Sequence, residues 1–153
     1  MALTAYRDAT SKNDITRNAH QYSDLDLFFT RKTSTSDVNK LTDVLAVKRS
    51  VRNLVLLNHY EKPFHPEIGS GIREMLFENM TPITAILIAK KVEDMINNYE
   101  PRAELAGVIA TPDLDNNSYK LNIEFYIVNV PSELQTVDIL LERLRKWLIT
   151  KND

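Results

Sequence analysis

Glu100-Pro101-Arg102 constrains the fold more than any other stretch of this chain. Proline has no backbone N–H and its ring clashes with the preceding turn, so a helix running up to residue 99 stops there. The same ring pushes the residue before it out of the α region towards extended backbone, which sets Glu100 at a corner. Arg102 then opens an extended run. On extended backbone, Glu100 and Arg102 lie two residues apart and point to the same side. A carboxylate just beyond a helix C-terminus has the wrong sign for the helix dipole, so Glu100 requires a partner. Two readings stay open. An intramolecular Glu–Arg pair is the commoner arrangement, because structural ion pairs are frequent. The other reading is a charged latch for another chain.

The rest of the chain bounds what that corner can serve. A length of 153 residues suits one domain with its own core. A formal net charge of −2 carries no electrostatic footprint for nucleic acid. With no cysteine there are no disulfides, no thiolate metal sites and no cysteine nucleophile. The N-terminus lacks a basic-then-apolar signal pattern. The most apolar run, Ile83 to Ala89, is too short to span a bilayer and ends at Lys90-Lys91. These features predict a protein that is cytosolic at synthesis, with no membrane partner.

Residues 1–42 read as an N-terminal arm, and 43–153 as a single α+β domain. The first 22 residues are polar and poor in large aliphatics. Within the arm, 23–30 alternates Leu25, Leu27 and Phe29 against Asp24 and Asp26, which predicts a half-buried strand or strip. Residues 31–41 are Ser/Thr-rich and basic, a loop. The first helix should start at Thr42 or Asp43, with Val44, Val47, Val51, Leu54 and Val55 as its core stripe. Lys48, Arg49 and Arg52 form its opposite, solvated face. Residues 58–70 carry Pro63 and Pro66, which predict stiff, polyproline-like backbone, with Phe64 anchoring it in the core. A short helix over 72–78 should follow. Thr81 as N-cap and Pro82 at the first helical position open a second long helix. Its stripe is Ala85, Ile88, Val92, Met95 and Tyr99, widened by Ile83, Ile86 and Ile96. Strands are expected over 103–111 and 119–130, joined by a hairpin loop at 112–118. In the second strand Tyr119, Leu121, Ile123, Phe125 and Ile127 face one way. Leu134, Val137, Leu141, Leu144 and Leu148 fit a helix, while a strand over 136–144 is the alternative.

Catalytic and metal-binding constellations are weak. His59 and His65 share a loop, but with His20 they are the only histidines and have no partner pair at a metal-site spacing. Glu61, Glu67, Glu74 and Glu78 cluster in sequence, and paired carboxylates are what glycoside hydrolysis uses. Exposed helical glutamates are ordinarily solvated, and nothing marks a substrate cleft around these. No nucleophile elbow and no phosphate loop is present. No cofactor is expected.

Three ordered motifs carry a resemblance. Glu61-Lys62-Pro63-Phe64-His65-Pro66-Glu67-Ile68-Gly69 resembles the Glu-Arg-Pro-Phe-x-Pro-x-Phe-Gly signature of the baseplate wedge proteins of contractile phage tails. Leu76-Phe77-Glu78-Asn79-Met80-Thr81-Pro82 and Asn98-Tyr99-Glu100-Pro101-Arg102 are similar to the T-even branch of that family, whose members often carry a lysozyme label. The wedge component of type VI secretion shares the Glu-Pro-Arg. The likeness runs from about Asp43 to Leu144 and departs at Lys62 and Ile68. It implies a non-enzymatic sheath initiator, placed one per wedge around a sixfold baseplate and monomeric when free. It implies a fold similar to the C-terminal domain of the tail sheath protein, with sheath arms added to the sheet by strand exchange. It implies that Glu100, Pro101 and Arg102 contact the core bundle of neighbouring wedge proteins, and that Glu61, Pro63, Phe64, Pro66 and Gly69 form a structural signature loop. Family likeness also favours the strand over 136–144 and reverses the weighting at the corner towards the latch. The location implied is the virion tail baseplate, reached through the host cytoplasm during assembly. Two alternatives remain: a peptidoglycan hydrolase using the clustered glutamates, and an adaptor binding an acidic partner through Lys48, Arg49 and Arg52.

Overall fold

The computed structural model describes residues 21–33, 36–130 and 133–142. A two-stranded ribbon, β1 (Ser23–Leu25) with β2 (Lys40–Thr42), precedes three helices, α1 (Asp43–Leu56), α2 (Ile72–Met75) and α3 (Pro82–Tyr99). An antiparallel meander follows: β3 (Ala103–Asp113), β4 (Ser118–Ile127) and β5 (Gln135–Glu142), with β4 in the middle. The architecture is α+β, as the sequence predicts.

Local chemistry accounts for most element boundaries. Thr81 Oγ1 accepts from the Thr84 amide at 3.1 Å and Pro82 occupies the first turn of α3, matching the expected start signal. α1 starts where expected, but Thr42 makes no side-chain cap. Asp43 instead accepts from the Tyr22 amide at 3.1 Å, tying the preceding chain to the helix. The expected helix over 72–78 is only the four residues of α2, continued by two tight turns. In the β3–β4 hairpin, Asp113 pairs with Ser118, and the Asp113 carboxylate accepts from the amide and side chain of Asn116. Both strands therefore reach further into the expected loop than predicted.

The core fills the space between the helices and one face of the meander. Val47, Val51 and Val55 of α1 meet Ala85, Ile88, Val92, Met95 and Ile96 of α3 and the expected row Tyr119 to Ile127 of β4. Ile83 and Ile86 do not widen the α3 stripe. They lie on the outer side of the helix and are exposed. Residues 135–142 resolve the helix-or-strand ambiguity as strand. Val137, Ile139 and Leu141 are buried in alternation, and Asn122 donates across to Asp138 at 2.9 Å. Leu144 and Leu148 lie outside the described residues.

Residues 23–30 invert the expected facing. Asp26 is 3% exposed, whereas Leu25, Leu27 and Phe29 are exposed. The Asp26 carboxylate accepts from the Phe28 amide at 3.1 Å and from the Thr30 hydroxyl, so the chain turns after Leu25 and alternation ends.

The loop between α1 and α2 is shaped by its neck and not by an apolar anchor. The Ser70 amide donates to Leu57 O at 2.9 Å, and the Tyr60 amide to Pro66 O at 3.0 Å. Between them the chain makes successive turns, not polyproline-like backbone. Phe64 sits at φ 66 and is 97% exposed, so it does not reach the core. Glu61 closes the loop's first turn by accepting from the Asn58 amide at 2.9 Å and its side chain at 2.7 Å. Pro63 and Pro66 are exposed, and Gly69 is buried at the neck. A Cβ on Gly69 would stand 2.4 Å from His59 N and 2.5 Å from Asn58 C, both backbone. Gly69→Ala should therefore cost about 1–3 kcal/mol through forced backbone movement. Gly107→Ala, whose Cβ would meet nothing within 4 Å, should stay within about 0.5 kcal/mol of wild type. Thermal unfolding of the two variants side by side checks the contrast.

Candidate functional site: the Glu100-Pro101-Arg102 corner

α3 ends where proline requires. Glu100 leaves the helix at φ −126, ψ 76, and its amide still closes the last turn onto Ile96 O at 2.9 Å. The Ala103 amide donates back to Glu100 O at 3.1 Å, so the corner is a hydrogen-bonded turn leading directly into β3. Pro101 is exposed at its outer side.

The Glu100 carboxylate turns inward and is only 3% exposed. It meets the Nε/Nη2 edge of Arg102 at 2.6 and 3.0 Å, a two-point pairing of guanidinium and carboxylate. The Ser50 hydroxyl of α1 also donates to it. These contacts explain a carboxylate that helix rules disfavour. Burial pushes the Glu100 acid up, but hydrogen bonds from Arg102 and Ser50 together outweigh it and hold the group below its ordinary value of 4.5. Arg102 is raised in turn, first by its hydrogen bond to Glu100 and further by Asp24.

Arg102 keeps a second edge. Its Nη1 lies 3.1 Å from both carboxylate oxygens of Asp24 in β1. The Tyr22 ring stands 5.7 Å from the guanidinium carbon, and its hydroxyl donates to Val128 O at 2.8 Å. The corner therefore joins four segments: the end of α3, the start of β3, the middle of α1 and the segment that carries Tyr22 and β1. The sequence pointed to Glu100, Pro101 and Arg102, and the intramolecular pair that it left open is present. Ser50, Asp24 and Tyr22 escaped notice, because residues 50 and 78 positions away carry no local sign of the contact.

The other candidates do not converge on this corner. Glu61 is bound to Asn58. Glu67 pairs with His65 at 3.1 Å, and hydrogen bonds hold both Glu61 and Glu67 below the ordinary carboxylate value. A general acid needs the opposite shift. Glu74 and Glu78 are exposed, and only Glu74 lies within α2. Among the described residues no group of three or more His, Asp or Glu side chains could hold a metal ion. His20 lies outside the described residues. On α1, Arg52 is exposed, Lys48 is half-buried, and Arg49 lies under the Phe28 ring, 4.1 Å from its centroid. The basic face is thus partly covered by the segment between β1 and β2.

Residues 42–131 match the family described as baseplate wedge protein gp25, and the chain belongs to that family. It is 30% identical over 105 residues to baseplate wedge protein gp25 of Enterobacteria phage T4, covering 69% of this chain and 80% of that protein. Among solved structures, a chain of the cryo-EM baseplate of the anti-feeding prophage, sixfold symmetrised, shares the fold at TM-score 0.55 and 23% identity. That match covers 82% of this chain and 88% of the other. A crystal structure from Geobacter sulfurreducens, named a tail lysozyme, shares it at TM-score 0.58 and 22% identity, covering 65% and 90%.

The depressed Glu100 acid makes a signed prediction. Its contribution to stability is complete above the ordinary value of 4.5 and fades as pH falls through the lower folded value. Wild type should therefore lose melting temperature more steeply than Glu100→Gln between about pH 5 and pH 3. Parallel slopes in calorimetry across that range would mean that Glu100 does not gain its partner on folding.

Proposed function

We propose that this baseplate wedge protein initiates sheath polymerisation and is held in its wedge through Glu100, Pro101 and Arg102. On this reading the corner contacts the helical core bundle of neighbouring wedge proteins. The domain of residues 43–153, likened to the sheath C-terminal domain, receives the first sheath ring, with residues 1–42 as its arm. Sheath arms add as strands to the meander, whose outer strands β3 and β5 each pair on one side only among the described residues. Unpaired edges are templates for strand addition. The protein acts in the virion tail baseplate, in a sixfold arrangement, and assembles there in the host cytoplasm. Free, it is a monomer with no catalytic role.

One observation carries the corner's part. A guanidinium fixed on a buried carboxylate still keeps 24% of its side chain exposed beside an exposed proline. Such a group is oriented before any partner arrives, which lowers the entropy lost on docking. The wedge proteins of the same particle, co-expressed with this chain, provide the test. Arg102→Ala leaves Glu100 buried without its cation and should destabilise the chain by about 3 kcal/mol. Arg102→Lys keeps the charge and the fold but not the planar fork. Arg102→Lys should be folded by circular dichroism yet recovered with its neighbours at about a tenth of the wild-type yield or less, the loss of one charged hydrogen bond. Normal recovery and tails of normal length with Arg102→Lys would remove the corner as the wedge contact.

A further inference from the structure

We propose that Asp24 is a positioning residue of the Arg102 corner, so that the partner-binding site extends onto the arm and accepts a basic or neutral donor group. The inference rests on the reading of the corner as the wedge contact. The family match begins at residue 42, so Asp24 and Tyr22 lie outside the stretch that defines the family.

A guanidinium has two hydrogen-bonding edges. Glu100 occupies the Nε/Nη2 edge, and without a second partner the remaining Nη1 amino group would turn freely towards water. Asp24 faces that group with both oxygens at 3.1 Å. The strand bearing Asp24 is tied down on either side. The Asp43 amide donates to Tyr22 O at 2.9 Å, the Tyr22 hydroxyl reaches Val128, and the Asp26 amide donates to Asn39 O at 3.0 Å. Asp26 itself is buried at the turn. A two-stranded ribbon is marginal alone, and here these ties to α1 and to the end of β4 hold it. Asp24 is thus a fixed wall of the site.

Charge then selects the partner group. Two carboxylates, Glu100 and Asp24, share one guanidinium, and among the described residues no other cation acts on Glu100. The Asp24 side chain is 34% exposed, so its negative charge is accessible beside Arg102. A third carboxylate docking there would meet repulsion. A lysine, an arginine or a neutral N–H donor of the wedge partner completes the cluster.

The test has two arms on the full-length chain. In the first, nitrogen-resolved NMR of the arginine side chains follows the Arg102 Nη protons. The Nη1 pair should be slowed in wild type and in Asp24→Glu and averaged by rotation in Asp24→Ala, with the Nε–H and Nη2 resonances on Glu100 retained in all three. In the second, binding to the purified wedge neighbours is titrated. Asp24→Asn and Asp24→Ala should each weaken it about tenfold, the loss of one charged hydrogen bond, while Asp24→Glu stays near wild type. Unchanged Nη1 protons in Asp24→Ala, or tighter binding by it, would overturn the proposal, the latter by making Asp24 a cover that the partner displaces. If Arg102→Lys binds as wild type while Asp24→Ala still frees the guanidinium, the positioning of Arg102 stands and the wedge-contact reading fails.

Discussion

A carboxylate buried at the end of a helix has to be compensated, and in this chain that requirement organises the corner. Glu100 is placed by Pro101, neutralised by Arg102 and further satisfied by Ser50 from α1. Leaving such a charge unpaired costs several kcal/mol, so the three groups act as one unit. The unit fixes where α3 stops, how β3 departs and how α1 lies against both. The meander and its core face inherit their direction from that departure. Asp24 and Tyr22 join from before α1, so that part of the segment ahead of the family stretch is also oriented by the same guanidinium.

Much of this was legible where one local rule acts alone. The Thr81-Pro82 start and the Pro101 stop define α3 to the residue, and strict alternation marks β4 from Tyr119 to Ile127. Legibility failed where two periods coincide or where a side chain overrules a pattern. Val137 and Leu141 are four apart, which satisfies both a helix stripe and one face of a strand. Only the partner strand decides between them, through pairs such as Asn122 with Asp138. Residues 25–29 looked like an alternating strip because Leu25, Leu27 and Phe29 are apolar. The Asp26 carboxylate captures the turn instead and leaves them outside. Ile83 and Ile86 counted towards a stripe by composition, but the stripe of α3 is already filled by Ala85, Ile88 and Val92.

The signature loop makes a different point about residue roles. Its expected anchor, Phe64, is its most exposed aromatic, and the loop's shape comes from polar and steric features at the neck. Gly69 permits a backbone approach that no side chain allows, and Glu61 ties the first turn to Asn58. At the neck Glu61 and Gly69 act through local contacts, whereas the expectation that Phe64 reaches the core is overturned by its full exposure. Likewise the corner's sequence triplet was legible, whereas its completion by Ser50 and Asp24 depends on tertiary contacts that no spacing encodes.

Membership of the baseplate wedge family gives the corner its context, and the corner's geometry gives that context a physical form: a cation oriented in advance by a buried acid. The most direct measurement is a cryo-EM map of the assembled baseplate containing this chain. The account predicts that the Glu100–Arg102 pair persists there, and that a neighbouring wedge chain places a polar group within hydrogen-bond distance of the corner. A corner left facing solvent, with Asp24 and Glu100 as the only groups in reach of Arg102, would contradict it.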